Sequence, residues 1–377
     1  MLLLSGRVVK ARIIPLPITP KSDWSTTHSF PVGYGFVAFG YMGLLLVWGG
    51  SQKSNPTRKT NWCPLPTNVV YGYSVENDSW EKWSVTGEIP EHSHDSAAVV
   101  CDDILYIYGG MNARGDLGDD IYALELNRLG PSNTAEFRCL AIRGERPKPR
   151  RGHSGWSFEG MIYFFGGESR GATEGTGYLS DKFYDHDLEN DNLLARFDPR
   201  SHAWTAVKTT GHSPSPRRCY GMAQLNDEII IHGGWEAYDL YLLNMRTLTW
   251  SRFRDYGNAH VKYRHTLTPI SDKIILDVGG ASNITGQLSR DVCVIDRRKL
   301  RPDPKVRVNM PPNYLRNMFE PLPKSHFAEG MWYHQAVRVR KTADNGGGYA
   351  VICLGGFTTA TMKMASHSNQ MIVFDIE

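Results

Sequence analysis

The sequence predicts an all-β fold, a six-bladed β-propeller whose last blade is closed by the N-terminal strand. Three observations carry that expectation. A short apolar run ending in Gly-Gly occurs six times, other residue types recur in phase with it, and the last copy stops one strand short while a spare strand opens the chain. A unit of about fifty residues that offers four short strands is one propeller blade.

The runs fall at 44–50, 105–110, 162–167, 229–234, 274–280 and 351–356, with doublets at 49–50, 109–110, 166–167, 233–234, 279–280 and 355–356. Upstream of the doublet a histidine stands near the start of the preceding strand (His28, His94, His153, His265, His334), with Tyr220 in its place in the fourth unit. Downstream, a strand leads to a Trp, as from Tyr71 to Trp80, Phe197 to Trp204 and Leu240 to Trp250, and Phe137 takes that position in the second unit. The glycines are expected where inner strands converge on the axis, since they remove Cβ atoms and open φ values closed to other residues. The Trp is expected to fill the wedge between blades. The last unit ends on Met371–Ile376 without a Trp, and Val8–Ile14 alternates like a half-exposed strand. That spare strand is expected to complete the last blade, because an open edge templates aggregation. The whole chain, 1–377, is expected to form a single propeller domain.

Composition narrows the function. Charged residues make up 21% and the apolar set 41%, the balance of a folded chain. Lys and Arg number 42 against 39 Asp and Glu, a formal charge of +3 that offers no basic footprint for nucleic acid. The longest apolar runs, such as Gly43 to Trp48, are too short to cross a bilayer. Neither nucleic acid nor a membrane is therefore expected as a partner. Leu2-Leu3-Leu4 is too short for a secretory signal, and the six cysteines are widely spaced without a Cys-x-x-Cys. Both point to a reducing compartment, cytosol or nucleus.

The chain contains no Gly-x-Ser-x-Gly, phosphate-binding Gly-x4-Gly-Lys-Ser or His-Glu-x-x-His. No catalytic residue, cofactor or enzymatic activity is expected. The histidines in register fall one per blade, most pairs too far apart to share an ion, so no metal centre is expected. The cluster Glu91–Asp95 and the acidic insertion Asp181–Asp191 read as polar loops.

The doublet, the Trp and the upstream Arg-x-x-His together resemble kelch repeats over nearly the whole chain. The chain is similar in particular to the kelch substrate receptors of cullin-RING ubiquitin ligases. The residues that carry this are Val47 to Asn55, Ile104 to Gly110, Pro214-Ser215-Pro216-Arg217, His265 to Pro269 and Ser366 to Gln370. The resemblance implies a propeller that holds the extreme C-terminus of a protein substrate on one face. It also implies contact with elongin B/C and a cullin through a short helix after the last blade. Two departures stand out. After the fourth doublet this chain reads Trp235-Glu236-Ala237-Tyr238, with no Arg until Arg246, where the family carries carboxylate-binding arginines. No cysteine here has a Leu four positions before it, as the elongin-binding helix does. A kelch scaffold without ligase association is the alternative reading, and a kelch-fold enzyme a more distant one.

The candidate peptide-binding residues come from the repeat itself. Arg150-Arg151, Arg217-Arg218, and Lys262 with Arg264 precede the His, or Tyr220 in its place, of three successive units, and equivalent positions of a propeller converge on one face. A crescent of guanidinium groups there would attract a carboxylate or an acidic motif. Trp235 and Tyr263 are the expected aromatic anchors, joined by Tyr178 from the third unit.

Overall fold

In each repeat, short runs of apolar side chains separated by turns such as Asp102-Asp103 and Glu159-Gly160 fold into one antiparallel sheet. The computed structural model describes residues 2–4, 7–15, 33–53, 62–130, 134–169, 194–235, 237–253, 262–283, 285–289, 292–300, 319–321, 331–341, 348–358, 366–367 and 370–376. Blade 1 is Val37–Tyr41, Leu44–Trp48, Val69–Ser74 and Ser79–Ser84; blade 2 is Ala97–Cys101, Ile104–Tyr108, Ile121–Glu125 and Glu136–Cys139. Blade 3 is Ser154–Phe158, Met161–Phe165, Leu194–Asp198 and Ala203–Val207; blade 4 is Gly221–Leu225, Glu228–His232, Leu240–Asn244 and Thr249–Phe253. Blade 5 is Thr266–Pro269, Ile274–Val278, Val292–Asp296 and Phe319–Pro321. Short segments Thr86–Gly87 and Thr210–Gly211 add parallel pairings to the outer strands of blades 2 and 4.

Blade 6 is composite. Gln335–Arg340, Tyr349–Leu354 and Gln370–Ile376 come from the C-terminal end, and Arg7–Pro15 supplies the fourth strand. It pairs antiparallel with the last strand, Val9 opposite Ile376 and Pro15 opposite Gln370, so the N-terminal strand closes the ring as expected. Leu2–Leu4 folds back on it as a hairpin strand.

The core is divided among the blade junctions. Tyr108 and Ile121 of blade 2 share one cluster with Phe164, Phe197 and Trp204 of blade 3, and Tyr163 and Phe165 of blade 3 share another with Ile231 and Trp250 of blade 4. Three of the four Trp positions fill the wedge in the same way, on the residue before the preceding blade's doublet: Phe137 on Trp48 at 5.3 Å, Trp204 on Tyr108 at 4.9 Å and Trp250 on Phe165 at 5.3 Å between ring centroids. Burying a ring of this size stabilises the junction by about 3 kcal/mol or more. Trp80 instead packs on Tyr73 of its own blade at 5.2 Å.

The doublets hold the positive φ values expected of them. What crowds them is not convergence on the axis but the lead-in turns, the next blade's at the first glycine and their own blade's at the second. A Cβ on Gly109 (φ +68) would lie 2.5 Å from the Arg150 carbonyl oxygen, and one on Gly110 (φ +100) 2.6 Å from that of His92. That close approach permits a hydrogen bond at every junction. The second glycine donates its N–H to the next blade: Gly50 to Ser93, Gly110 to Arg150, Gly167 to Arg217, Gly234 to Lys262, Gly280 to Met331, and Gly356 to Gly33 at 2.9 Å, which joins blade 6 to blade 1. A second circuit runs in the opposite sense. Asp95 donates its N–H to Gly35, Gly152 to Asp95, Cys219 to Gly152, Arg264 to Cys219 and Tyr333 to Arg264, at 2.7–3.2 Å.

Candidate functional site

The second circuit fixes what faces the channel mouth. Its members, Gly35, Asp95, Gly152, Cys219, Arg264 and Tyr333, all hold a left-handed backbone, φ +53° to +67°. For the four that are not glycine this costs about 1 kcal/mol each, and it persists because both neighbouring blades hold the turn. The residue before each bridges to the residue after its own blade's doublet: Tyr34 to Ser51, His94 to Met111, Arg151 to Glu168, Arg218 to Trp235, Tyr263 to Ala281 and Trp332 to Phe357.

These side chains form a rim with two halves. The aromatic half runs from His94 to Tyr34 (5.3 Å between centroids), Phe357 (4.5 Å), Trp332 (5.5 Å), Tyr263 (6.3 Å) and Trp235 (4.7 Å). The charged half continues from there. The Arg218 guanidinium lies 5.5 Å from the Trp235 ring centroid and donates to Glu168, whose carboxylate also meets Arg151 Nη2 at 3.5 Å. Arg151 Nη1 contacts Met111 Sδ at 3.0 Å and so returns the rim to blade 2.

Inside the rim, Arg264 of blade 5 grips Asp95 of blade 2, Nη1 to Oδ1 at 3.4 Å and Nη2 to Oδ2 at 3.3 Å. The Tyr333 hydroxyl donates to the same carboxylate and lies 3.0 Å from His94 Nε2. Burial alone would raise the Asp95 carboxyl; Arg264, with His94 and Arg151, outweighs it and holds the group well below the usual carboxylate range. Burial and the nearby Arg151 and Arg264 push His94 down to about 4 against the pull of Asp95, so it is neutral at pH 7. Burial raises the Tyr333 phenol, which stays protonated as a donor. Below this plug lies a cavity of about 250 Å³, lined in part by Ser96, His153, Tyr220, His265, His334 and Cys219.

The residues expected to bind peptide divide by depth. Arg150 and Arg217 are only 4% exposed and act alike. Each donates Nε to the carbonyl two residues back (Lys148, Ser215) and Nη1 to the first glycine of its own blade's doublet (Gly166, Gly233), at 3.0–3.1 Å. Lys262 takes the same position and reaches Asp277 Oδ1 at 2.9 Å. These three cations brace their blades. Arg151, Arg218, Tyr263 and Trp235 stand together on the rim, and Arg264 stands one level further on, equivalent to Cys219 and not to the arginine pairs. Tyr178, His28 and the insertion 181–191 lie outside the described residues.

Sequence reasoning missed Asp95, Glu168, Trp332, Tyr333 and Phe357. The segment Glu91–Asp95, read as a polar loop, contains the buried His94 (2% exposed) and the half-buried central Asp95. His94 is also out of register with the other histidines. Its equivalents are Arg151 and Arg218, and Ser96 stands where His153, Tyr220, His265 and His334 do. Those latter side chains wedge against the preceding blade's doublet, His153 beside Gly109 and His334 beside Gly279. A second buried polar cluster, His232, His265 and Asp277, sits between blades 4 and 5.

A six-bladed ring of four-stranded units, doublet-stapled and with a polar and aromatic rim, defines a kelch-type propeller of the protein-binding class. Residues 35–298 match the model of the KLHDC2/KLHL20/DRC7 Kelch-repeats domain, and the chain belongs to that family. It is 26% identical over 247 residues to Kelch domain-containing protein 2 of Bos taurus, covering 63% of this chain and 60% of that protein. Similarity to Kelch domain-containing protein 1 of Homo sapiens is 28% over 255 residues (63% and 60%), and to human Kelch domain-containing protein 3 it is 25% over 267 residues (68% and 63%). The chain thus spans about three fifths of the length of the relatives it matches.

Proposed function

We propose that the channel mouth binds an extended peptide segment, a protein C-terminus or an acidic stretch, and that the chain is a substrate receptor of a cullin-RING ubiquitin ligase in cytosol or nucleus. The observation that carries the peptide reading is the rim's composition. Three guanidinium groups, Arg151, Arg218 and Arg264, meet two carboxylates, Glu168 and Asp95, so the described rim and plug hold one surplus positive charge beside an arc of aromatic rings. A carboxylate brought by a ligand would balance that charge, and the rings would cover the adjoining apolar side chains. The ligase half rests on the family resemblance, with elongin B/C and a cullin as partners. The alternative reading is a kelch scaffold that joins no ligase.

Two measurements test these readings. A library of C-terminal peptides, each with free and amidated ends, is expected to bind only with the free carboxylate or with an acidic side chain in register. Binding that ignores both sinks the mouth as a carboxylate site. Affinity purification from cells is expected to recover elongins and a cullin; other partners without them leave the scaffold.

A further inference from the structure

Two inner-strand positions are apolar almost everywhere in the ring. The residue before the doublet is Trp48, Tyr108, Phe165, Val278 or Leu354, but in blade 4 it is His232. The residue two before it is Val47, Ile107, Phe164, Ile231 or Cys353, but in blade 5 it is Asp277. Both exceptions face the same junction. There His232 (1% exposed) and Asp277 (0%) meet His265 (4%), the wedge residue of blade 5. Putting ionisable groups where apolar ones pack well lowers stability unless something compensates them.

The donor atoms converge. His232 Nδ1 lies 4.0 Å from Asp277 Oδ2, the two imidazole rings are 5.1 Å apart at 76°, and one ligand atom from each residue fits within a 4.8 Å span. Among the described residues, neither nitrogen of His265 has a hydrogen-bond partner, and neither has Asp277 Oδ2. Lys262 Nζ occupies the other carboxylate oxygen, Oδ1, at 2.9 Å. One nitrogen of His265 and Asp277 Oδ2 thus lie in the buried cluster without a hydrogen bond among the described residues.

We propose that His232, His265 and Asp277 bind one late-transition divalent cation, Zn²⁺ being the best match, between blades 4 and 5. Two imidazoles and a carboxylate are a donor set for zinc, with a fourth position left for a further ligand. Typical bond lengths of about 2.0–2.2 Å require the donors to draw in by roughly 1 Å. His265 also lines the central cavity, which gives the ion a route from solvent. Lys262 is a competitor: its ammonium and the cation share one carboxylate.

The test uses the full chain, stripped with a chelator and dialysed, then titrated with ZnCl₂ by calorimetry and with CoCl₂ by visible absorption. About one Zn²⁺ per chain is expected, with a higher Tm, and His265→Gln and Asp277→Asn each weaken binding about tenfold or more. Lys262→Met is expected to bind zinc at least as tightly as the unaltered chain. No uptake, uptake that both ligand variants retain, or weaker binding in Lys262→Met overturns the proposal. If a variant fails to fold, the cobalt spectrum of the unaltered chain decides. Strong absorption of a four-coordinate site supports the proposal, and its absence overturns it.

Discussion

Arg264 and Asp95 join opposite sides of the ring. Blades 5 and 2 face each other across the channel, and the guanidinium meets both carboxylate oxygens at 3.3–3.4 Å. With Asp95 at 8% and Arg264 at 19% side-chain exposure, the pair is largely withdrawn from water. Removing either partner strands a charge, a loss of about 3 kcal/mol or more in such settings. Chemical denaturation of Asp95→Ala, Arg264→Ala and the double variant is expected to give a coupling of about 1–3 kcal/mol. Additive losses would show that the tie contributes nothing of its own.

Acid is expected to weaken the ring from its buried imidazoles. Burial first, and then nearby cations, push His94 and His334 down to about 4 and His153 to about 3, against 6.5 in an exposed chain. Between pH 6.5 and 4 the unfolded chain therefore binds protons that the folded one refuses. Stability is intact above pH 6.5 and falls with pH, by about 1.4 kcal/mol per unit for each such group. His153→Phe, which copies the Phe36 wedge of blade 1, is expected to flatten that slope in urea denaturation across this range. An unchanged slope would assign the acid sensitivity elsewhere.

The two arginines of the fourth unit are expected to separate stability from binding. Arg217→Met removes three hydrogen bonds to backbone carbonyls (Ser215, Gly233 and Asp239) and one to Ser215 Oγ, lowering stability by about 2 kcal/mol. Arg218→Met leaves Glu168 still paired with Arg151, so its Tm changes little while peptide affinity falls about tenfold. Calorimetric melting beside peptide titration of both variants checks this, and a binding loss that simply tracks the melting loss contradicts it.

The doublets carry a steric prediction with an internal control. Gly166→Ala places a Cβ 2.8 Å from the Arg217 carbonyl at φ +72 and is expected to cost about 3 kcal/mol or more. Gly115→Ala, at φ +90 with nothing within 4 Å, carries only the backbone term of about 1 kcal/mol. Equal losses in denaturant melts would remove the junction contact as the explanation.

The blades and their closure were legible because their signal is local. Six doublets and the alternation in Val8–Ile14 state the fold within a few residues each. The rim was half legible. Arg151, Arg218, Trp235 and Tyr263 recur or lie beside a doublet, so they could be placed. Asp95 could not, because its partners Arg264 and Tyr333 are 169 and 238 residues away and meet it only across the closed ring. Arg150 and Arg151 look interchangeable as letters, yet one carries a lead-in carbonyl bonded by Gly110 and the other faces the rim. Which is which follows from the register of a turn that sequence alone does not fix.

The bond from Gly356 to Gly33 has a thermodynamic consequence. An open row of repeats frays from its ends, because a terminal unit has one neighbour and can leave alone. Here the seam between last and first blades is bonded like the other five, so every unit has two neighbours. Detaching any blade breaks two interfaces together and leaves two raw apolar faces. Loss of the fold should therefore be a single all-or-none event, with no end from which to unravel.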